Sequence, residues 1–335
     1  MEGHLADGVV EVGPNARERY YDSRGYGRPR GDGVVLSRVE AAHLLYRDDL
    51  GAVDGRGISE FLADNGDIVV PFLVYKDLRD RGFYVSPARD GWVDRPDGAE
   101  FVVHPRGDGP WDGSVEYRIR VLGERASVPL DSLGEVVLAV VDEEGELTYL
   151  RTDAPEITGT SETDIDGTAN GVLLEDRVLC WDPPSALYER GFYGQRLGQT
   201  DETLQLSLVE AAYLANGGAL EIDGGYGAIR GRGRAVEGDR FDRRLSVYRT
   251  LRDRGVVPKT GFKFGADFRT YADVDSVEDL GHSELLLRVL PADSVASPRD
   301  LALDVRLAHG VRKRMVFALV GEGDPQWRSV ERLTP

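Results

Sequence analysis

The chain has 335 residues, 41% of them hydrophobic, which is enough for the cores of two domains or of one duplicated domain. No apolar run approaches the roughly 18 residues of a membrane span, and we expect no secretion signal because the first residues lack a basic stretch leading into an apolar one. The single cysteine, Cys180, excludes an intrachain disulfide and is typical of a protein in a reducing cytoplasm.

Acidic residues outnumber basic ones by 59 to 41, and the formal net charge is -18. Such a charge is expected of a protein that avoids nucleic acid, because phosphate groups attract lysine and arginine. Adaptation to a salt-rich cytoplasm explains it better, since the acidic residues are scattered along the whole chain and molar salt shortens the Debye length to about 3 Å. Few of the basic residues are lysines, so each retained lysine suggests a need for a compact ammonium group.

The chain contains an internal repeat. Three segments recur in the same order about 170 residues further along. The matching pairs are 21–27 with 188–194, 36–44 with 206–214, and 74–82 with 247–255. We therefore predict a tandem duplication: a first repeat at 1–152, a linker rich in Thr, Asp and Gly at 153–170, and a second repeat at 171–335. Each repeat is expected to divide into two subdomains, at about 1–70 and 71–152, and at about 171–243 and 244–335.

Each repeat is predicted to be mixed α/β (α+β). The pairs Ser37 with Glu40 and Ser207 with Glu210 have the spacing of a helix capping box. The segments 74–82 and 247–255 predict further helices that end at glycine. Near the C-terminus we predict a buried strand over 285–290, a helix from Ser297 to Gly310, and a core strand over 314–320.

Three blocks of the second repeat carry a family resemblance. They are Lys-Thr-Gly-Phe-Lys-Phe-Gly-Ala-Asp-Phe-Arg-Thr-Tyr at 259–271, Gly-His-Ser-Glu at 281–284, and Val-Arg-Leu-Ala-His-Gly-Val-Arg-Lys-Arg at 305–314. Together they closely resemble the catalytic domain of archaeal tRNA-intron endonucleases. The duplicated layout resembles the branch in which a fused inactive-plus-active chain forms a homodimer. The resemblance implies that each repeat is an N-terminal α/β subdomain followed by a mixed-sheet nuclease-type α/β subdomain.

The resemblance also implies a catalytic triad of Tyr271, His282 and Lys313. The family cleaves precursor tRNA at the bulged nucleotides of a bulge-helix-bulge fold, without a metal or other cofactor, and leaves a 2′,3′-cyclic phosphate and a 5′-hydroxyl. Such a reaction needs a base for the attacking 2′-hydroxyl, an acid for the leaving oxygen and positive charge beside the phosphate. The resemblance makes Tyr271 the base and His282 the acid, whereas the residue types alone also allow the reverse.

The first repeat lacks all three groups. His104, Ser114 and Gly134 stand at the positions that match Tyr271, His282 and Lys313 in the second repeat. The framework segments persist in both repeats. We therefore expect the first repeat to be a non-catalytic scaffold.

Other residues are expected to bind RNA or a second subunit. Arg306 matches a family position that stacks on a bulge base, with Arg328 as its partner, and Lys263 and Arg269 are candidate phosphate contacts. His309 is expected to be structural. The run Asp142, Glu143 and Glu144 resembles the acidic loop that docks into a basic pocket between family subunits, although an ordinary acidic hairpin turn has the same composition. We expect a symmetric homodimer with two active sites, and no membrane partner.

Two other functions are compatible with the composition. A metal-dependent nuclease of restriction-enzyme type would use several carboxylates and a lysine near a core strand. The chain has no convincing Asp…Glu-x-Lys arrangement, because the residues after Glu284 are leucines. A non-catalytic subunit that binds RNA would match the first repeat, but the three groups of the second repeat argue against it for the whole chain.

Overall fold

The computed structural model describes residues 1–161, 166–198 and 202–335. Part of the predicted linker, residues 162–165, lies outside the described residues. None of the helices in the described ranges has both the length and the apolar character needed to span a bilayer.

The first repeat begins with a small α/β unit around a five-stranded sheet. Its elements are β1 (Glu2–Ala6), β2 (Val9–Val12), β3 (Arg28–Arg30), β4 (Gly33–Ser37), α1 (Arg38–Tyr46), β5 (Ala52–Val53), α2 (Ile58–Asp64) and α3 (Val69–Asp80). The strand order is β3-β4-β2-β1-β5. Helix α1 starts where predicted, because the Ser37 side chain accepts from Glu40 N while the Glu40 carboxylate accepts from Ser37 N.

The second repeat begins with a matching unit. Its elements are β12 (Ala169–Leu173), β13 (Arg177–Cys180), α4 (Ser185–Glu189), β14 (Gln195–Arg196), β15 (Leu204–Ser207), α5 (Leu208–Asn216), β16 (Leu220–Glu221), α6 (Gly225–Glu237) and α7 (Asp239–Asp253). The strand order β14-β15-β13-β12-β16 repeats that of the first sheet. Ser207 and Glu210 form the predicted second capping box, and α5 ends at Asn216.

Ten of the twelve remaining strands form one sheet across both repeats, and the other two form a separate antiparallel pair. The first repeat supplies β6 (Val85–Pro87), β7 (Phe101–Val103), β8 (Tyr117–Gly123), β10 (Val136–Val141) and β11 (Leu147–Asp153), with β9 (Val128–Pro129) beside them. The second supplies β17 (Val257–Thr260), β18 (Phe268–Tyr271), β19 (Leu285–Pro291), β21 (Arg314–Val320) and β22 (Gln326–Leu333), with β20 (Val295–Ala296) and α8 (Pro298–Gly310). The order is β17-β18-β19-β21-β22-β11-β10-β8-β7-β6.

The two halves of this sheet meet at β11 and β22, which pair antiparallel from Tyr149 with Leu333 to Asp153 with Ser329. A shared apolar cluster lies under the junction, with Leu138 and Leu150 from the first repeat and Leu286 and Phe317 from the second. The mixed α/β fold and the duplication are therefore as predicted. The division of each repeat near residues 70 and 243 stays a prediction, and α3 and α7 each run across it.

Candidate active site

Three strands of the second repeat bring the predicted catalytic residues to one edge of the sheet. Leu285, the first residue of β19, pairs with Thr270 of β18 and with Arg314 of β21. Tyr271 directly follows Thr270, and Lys313 directly precedes Arg314. His282 lies three residues before Leu285, in the loop that enters β19. The register therefore places Tyr271 and Lys313 at the same end of the sheet, and His282 lies in the loop that enters the strand between theirs.

Tyr271 is the most enclosed of the three. It is 8% exposed and packs in a small cluster with Phe192, Val257 and Val274. The Phe192 ring meets it edge-on, at 5.7 Å between centroids and 66° between planes. The guanidinium of Arg269 lies 5.8 Å from the Tyr271 ring centroid, because residues two apart on a strand share a face.

Lys313 holds the loop that carries His282. Its ammonium donates to the carbonyl of Ser283 and lies 5.7 Å from the Phe264 ring. Backbone bonds fix the end of the same loop, since Glu284 N donates to Thr270 O at 3.2 Å and Arg314 N donates to Glu284 O at 3.1 Å. His282 itself is exposed and accessible to a ligand.

The charge of Lys313 is sensitive to its surroundings. Burial lowers the pKa of Lys313 below the usual value for lysine, and repulsion from Arg269 lowers it further. The guanidinium of Arg269 forms no hydrogen bond or ion pair with any described residue. Lys313 and Arg269 thus lie close enough to repel each other, with Arg269 beside the Tyr271 ring, which suits the binding of an anionic group such as a phosphodiester.

The first repeat shows what replaces this arrangement. Ile119 pairs with Phe101 and Val137 in the first repeat, as Leu287 pairs with Phe268 and Val316 in the second. The strand register therefore gives the same correspondence between the repeats as the sequence comparison. At the position of Tyr271, the His104 ring lies 3.0 Å from Ser86 Oγ and 2.8 Å from Ser114 O. Both ring nitrogens of His104 therefore contact oxygens of the first repeat itself.

A basic cleft of 470 Å³ opens beside the site, between the five-stranded unit of the second repeat and the residues of α7, β17 and β18. Its charged lining residues are Arg177, Arg244, Lys259, Lys263 and Arg269, against Asp176 and Glu210. Arg177, Arg244 and Lys259 are engaged in ion pairs with carboxylates. Lys263 and Arg269 have no ion-pair partner within the described residues, so the cleft keeps two uncompensated positive charges.

The structure does not bring Arg306 and Arg328 into the triad. Arg306 is exposed on α8, about one turn before its end. Arg328 pairs with Phe317 in the middle of β21, about 13 Å along the strand from Lys313 at about 3.3 Å per residue. Its guanidinium donates to the carbonyl of Asp131 at 3.3 Å. Base stacking by these two arginines stays a prediction, as does the structural role of His309, which is exposed in the last turn of α8.

The acidic segment forms the hairpin between β10 and β11. Asp142 shapes the turn, because its Oδ1 accepts from the backbone N–H groups of Glu144 and Glu146, each at 2.9 Å. Glu143 and Glu144 project into solvent, and Glu143 pairs with Arg125 at 2.7 Å. The hairpin thus presents two carboxylates outward. Across the described residues, no three His, Cys, Asp or Glu side chains are grouped as metal ligands would be.

Comparison with known proteins agrees with this arrangement. Residues 241–327 match the family described as tRNA intron endonuclease, catalytic C-terminal domain. Residues 1–63 and 169–229 each match the tRNA intron endonuclease N-terminal domain, which is the duplication seen in the two five-stranded units.

Full-length relatives match as well. A tRNA-splicing endonuclease from Natronomonas pharaonis is 73% identical over 336 residues, and the match covers 100% of both chains. The Haloferax volcanii tRNA-splicing endonuclease is 58% identical over 342 residues, again with 100% of both chains. The Methanosarcina mazei tRNA-splicing endonuclease is 36% identical over 360 residues, with 99% of each.

The fold and the matched catalytic domain define an endonuclease whose catalytic half is the second repeat. The chain belongs to the tRNA-splicing endonuclease family. The resemblance of the three sequence blocks is thereby confirmed, and relatives from halophilic archaea agree with a salt-adapted composition.

Proposed function

We propose that this endonuclease cleaves precursor tRNA at bulge-helix-bulge exon–intron junctions in the cytoplasm, by metal-independent acid–base catalysis. One observation supports the proposal: Tyr271 and Lys313 lie at the same end of strands β18 and β21, and the loop with His282 enters β19 between them. The cleft beside them and the exposed position of His282 leave this end open to RNA.

The reaction is an in-line attack of a 2′-hydroxyl on the adjacent phosphorus. Tyr271 takes the proton from the 2′-hydroxyl, and the 2′-oxygen forms the new bond to phosphorus. The bond from phosphorus to the 5′-oxygen breaks, and His282 gives that oxygen a proton. The products are a 2′,3′-cyclic phosphate and a 5′-hydroxyl. Lys313, together with the neighbouring Arg269, stabilises the negative charge that develops on the non-bridging oxygens.

The test is a cleavage assay on a bulge-helix-bulge RNA in EDTA at high salt, followed by analysis of the product ends. We expect two cuts and cyclic phosphate ends. His282→Ala and Tyr271→Phe should bind the RNA but not cut it. Cleavage that requires a divalent metal, or a fully active His282→Ala variant, contradicts the proposal and favours the metal-dependent alternative or another acid. RNA binding without any cutting favours a non-catalytic subunit.

The same chemistry requires two sites for the two bulges, and we propose that a symmetric homodimer supplies them. The outward carboxylates of Glu143 and Glu144, on the hairpin that resembles the docking loop of the family, bind a basic pocket of the second chain. Because exposed ion pairs are screened in molar salt, the hairpin must be partly buried when it docks.

Sedimentation of matched variants tests the homodimer. Glu143→Gln combined with Glu144→Gln should shift the protein towards monomer and reduce cleavage. The control is Glu322→Gln combined with Asp324→Asn, which alters the corresponding exposed hairpin between β21 and β22 and should leave the dimer intact. A fully active wild-type monomer overturns the proposal.

A further inference from the structure

The backbone of Phe192 adopts a conformation that aromatic residues rarely use. Its φ is +50°, in the left-handed region, although the side chain is only 5% exposed and belongs to the Tyr271 cluster. At the matching position of the first repeat stands Gly25, with φ +68°. Glycine adopts this region without strain, whereas a residue with a Cβ is strained there. The second repeat therefore has a bulky aromatic residue at a position where glycine would adopt the same backbone conformation without strain.

A buried lysine holds this strained segment. The Lys259 ammonium, on edge strand β17, donates to the carbonyls of Phe192 at 3.0 Å and Gly194 at 2.7 Å. It also donates to Glu210 Oε1 at 3.0 Å and lies 4.6 Å from the Phe192 ring. Glu210 Oε1 in turn accepts from Gly194 N at 3.0 Å. One ammonium thus ties the segment at 192–194 both to α5 and to the catalytic sheet.

The first repeat folds without this ammonium. The pairing of Phe101 with Pro87, and of Phe268 with Thr260, makes Ser86 the counterpart of Lys259. Within the part of the chain that the structure describes, Glu40, the counterpart of Glu210, accepts only from backbone N–H groups and from its capping serine. The capping box and the chain path are kept in both repeats, so neither feature requires the lysine or the phenylalanine.

Three of the differences between the repeats lie close together in the structure. Where the first repeat has Gly25, Ser86 and His104, the second has Phe192, Lys259 and Tyr271. In the first repeat His104 lies against Ser86, whereas in the second the Phe192 ring stands beside Tyr271 with its backbone held by Lys259. Backbone strain that the second repeat keeps beside a reactive group, at a position where the first repeat has glycine, points to a functional constraint.

We propose that Phe192, held in a left-handed conformation by Lys259 and Glu210, is a positioning residue that fixes the ring of Tyr271 for proton abstraction. The inference rests on the proposed role of Tyr271. The edge-on contact restricts the tyrosine rotamer and excludes water from one face of the ring. Neither Phe192 nor Lys259 takes part in a bond-making step.

The test is Phe192→Gly, which reproduces the residue of the first repeat and fits the backbone. We expect the single-turnover cleavage rate to fall about tenfold to a hundredfold, because small displacements of a reacting group have effects of this size. The dissociation constant for the RNA should stay within about twofold, since a positioning defect acts on the chemical step. Phe192→Leu, which keeps apolar bulk but not the aromatic edge, should recover part of the rate.

The control is Phe83→Ala in the first repeat, where the ring is also 5% exposed. It should lower thermal stability and leave the cleavage rate unchanged. If Tyr271→Phe is inactive while Phe192→Gly and Phe192→Leu both cleave at the wild-type rate, the positioning role is wrong and the proposed function stands. If Phe83→Ala loses as much rate as Phe192→Gly, the effect is general destabilisation and the inference is also overturned. An active Tyr271→Phe variant removes the proposed function itself.

Discussion

Replacing Glu210 by Gln should destabilise the protein by about 3 kcal/mol at neutral pH. Burial raises the pKa of Glu210, but Lys259 and the N–H groups of Ser207 and Gly194 outweigh it and bring the pKa from 4.5 down to about 2. At about 1.36 kcal/mol per pKa unit this fall corresponds to about 3 kcal/mol. Removing one partner of a buried ion pair costs about 3–5 kcal/mol, which agrees with the value from the pKa shift.

The pH dependence follows from the direction of the shift. Because the folded-state pKa of Glu210 lies below its unfolded value of 4.5, its stabilisation is complete above about pH 4.5. It is lost as the pH falls towards 2. The difference in unfolding free energy between the wild type and Glu210→Gln should therefore be largest near neutrality and shrink on acidification.

Glu40→Gln is the matched control. Burial raises the pKa of Glu40 above its usual value, against the hydrogen bonds from Gly27 and Ser37, and none of the described lysines contacts it. Its carboxyl group favours the folded state most when protonated, and that contribution is lost as the pH rises through the folded-state pKa. A neutral amide should thus cost about 1 kcal/mol or less at pH 7, the net value of a typical hydrogen bond.

Urea unfolding at molar salt, followed by tryptophan fluorescence between pH 3 and pH 7, measures both differences. The buried Glu210 pair is screened little, so high salt should not remove its effect. Equal destabilisation by Glu210→Gln and Glu40→Gln at pH 7 would refute the reasoning. A Glu210→Gln difference that does not shrink on acidification would refute it as well.

Three further outcomes are expected. Lys313→Gln should lower the single-turnover cleavage rate about a hundredfold to a thousandfold while RNA binding persists, because it removes charge stabilisation of the transition state; an unchanged rate in a quench experiment contradicts this. Arg269→Gln removes a repulsive neighbour and should raise the pKa of Lys313, so the alkaline fall of the pH–rate profile should move to higher pH; a shift to lower pH rejects the coupling. Gly159→Ala should lower the melting temperature, because a Cβ there would lie 2.4 Å from the Gly255 carbonyl oxygen and 2.5 Å from that of Ala272; calorimetry showing no change disproves the close packing.

Local signals predicted much of the fold. The capping residues Ser37, Ser207 and Ser297 begin α1, α5 and α8 where the sequence places them. The C-terminal strands follow from their apolar runs. Each of these elements is specified by residues within a few positions of one another, which is why the sequence alone is sufficient.

Helix α6 was not predicted. It contains Gly225, Gly227, Gly231 and Gly233, and glycine is a poor helix former. Tertiary packing explains the helix in part, because a Cβ at Gly233 would lie 2.4 Å from the ring of Phe241. The absence of a side chain lets α7 approach closely, and such a contact cannot be derived from local propensity.

The residues of the site likewise fall into two groups, those that the sequence identifies and those that only the fold brings together. The triad residues follow from three recognisable blocks, whereas Phe192 and Glu210 lie 67 and 49 residues from Lys259 in sequence. Only the fold brings them together. The one available signal was the retained lysine in a chain that otherwise uses arginine.

The geometry explains why arginine does not replace Lys259. Its ammonium donates to three oxygens at 2.7–3.0 Å, and a compact group with three donors satisfies them from one point. A planar guanidinium is larger and spreads its donors in a fork, so it cannot occupy the same 9%-exposed position without displacing Phe192. Burial lowers the pKa of Lys259 despite the attraction of Glu210, so keeping its ammonium charged in this position costs free energy. The first repeat keeps the same fold with Ser86 at this position. The second repeat bears the free-energy cost of burying Lys259 where Phe192 contacts Tyr271.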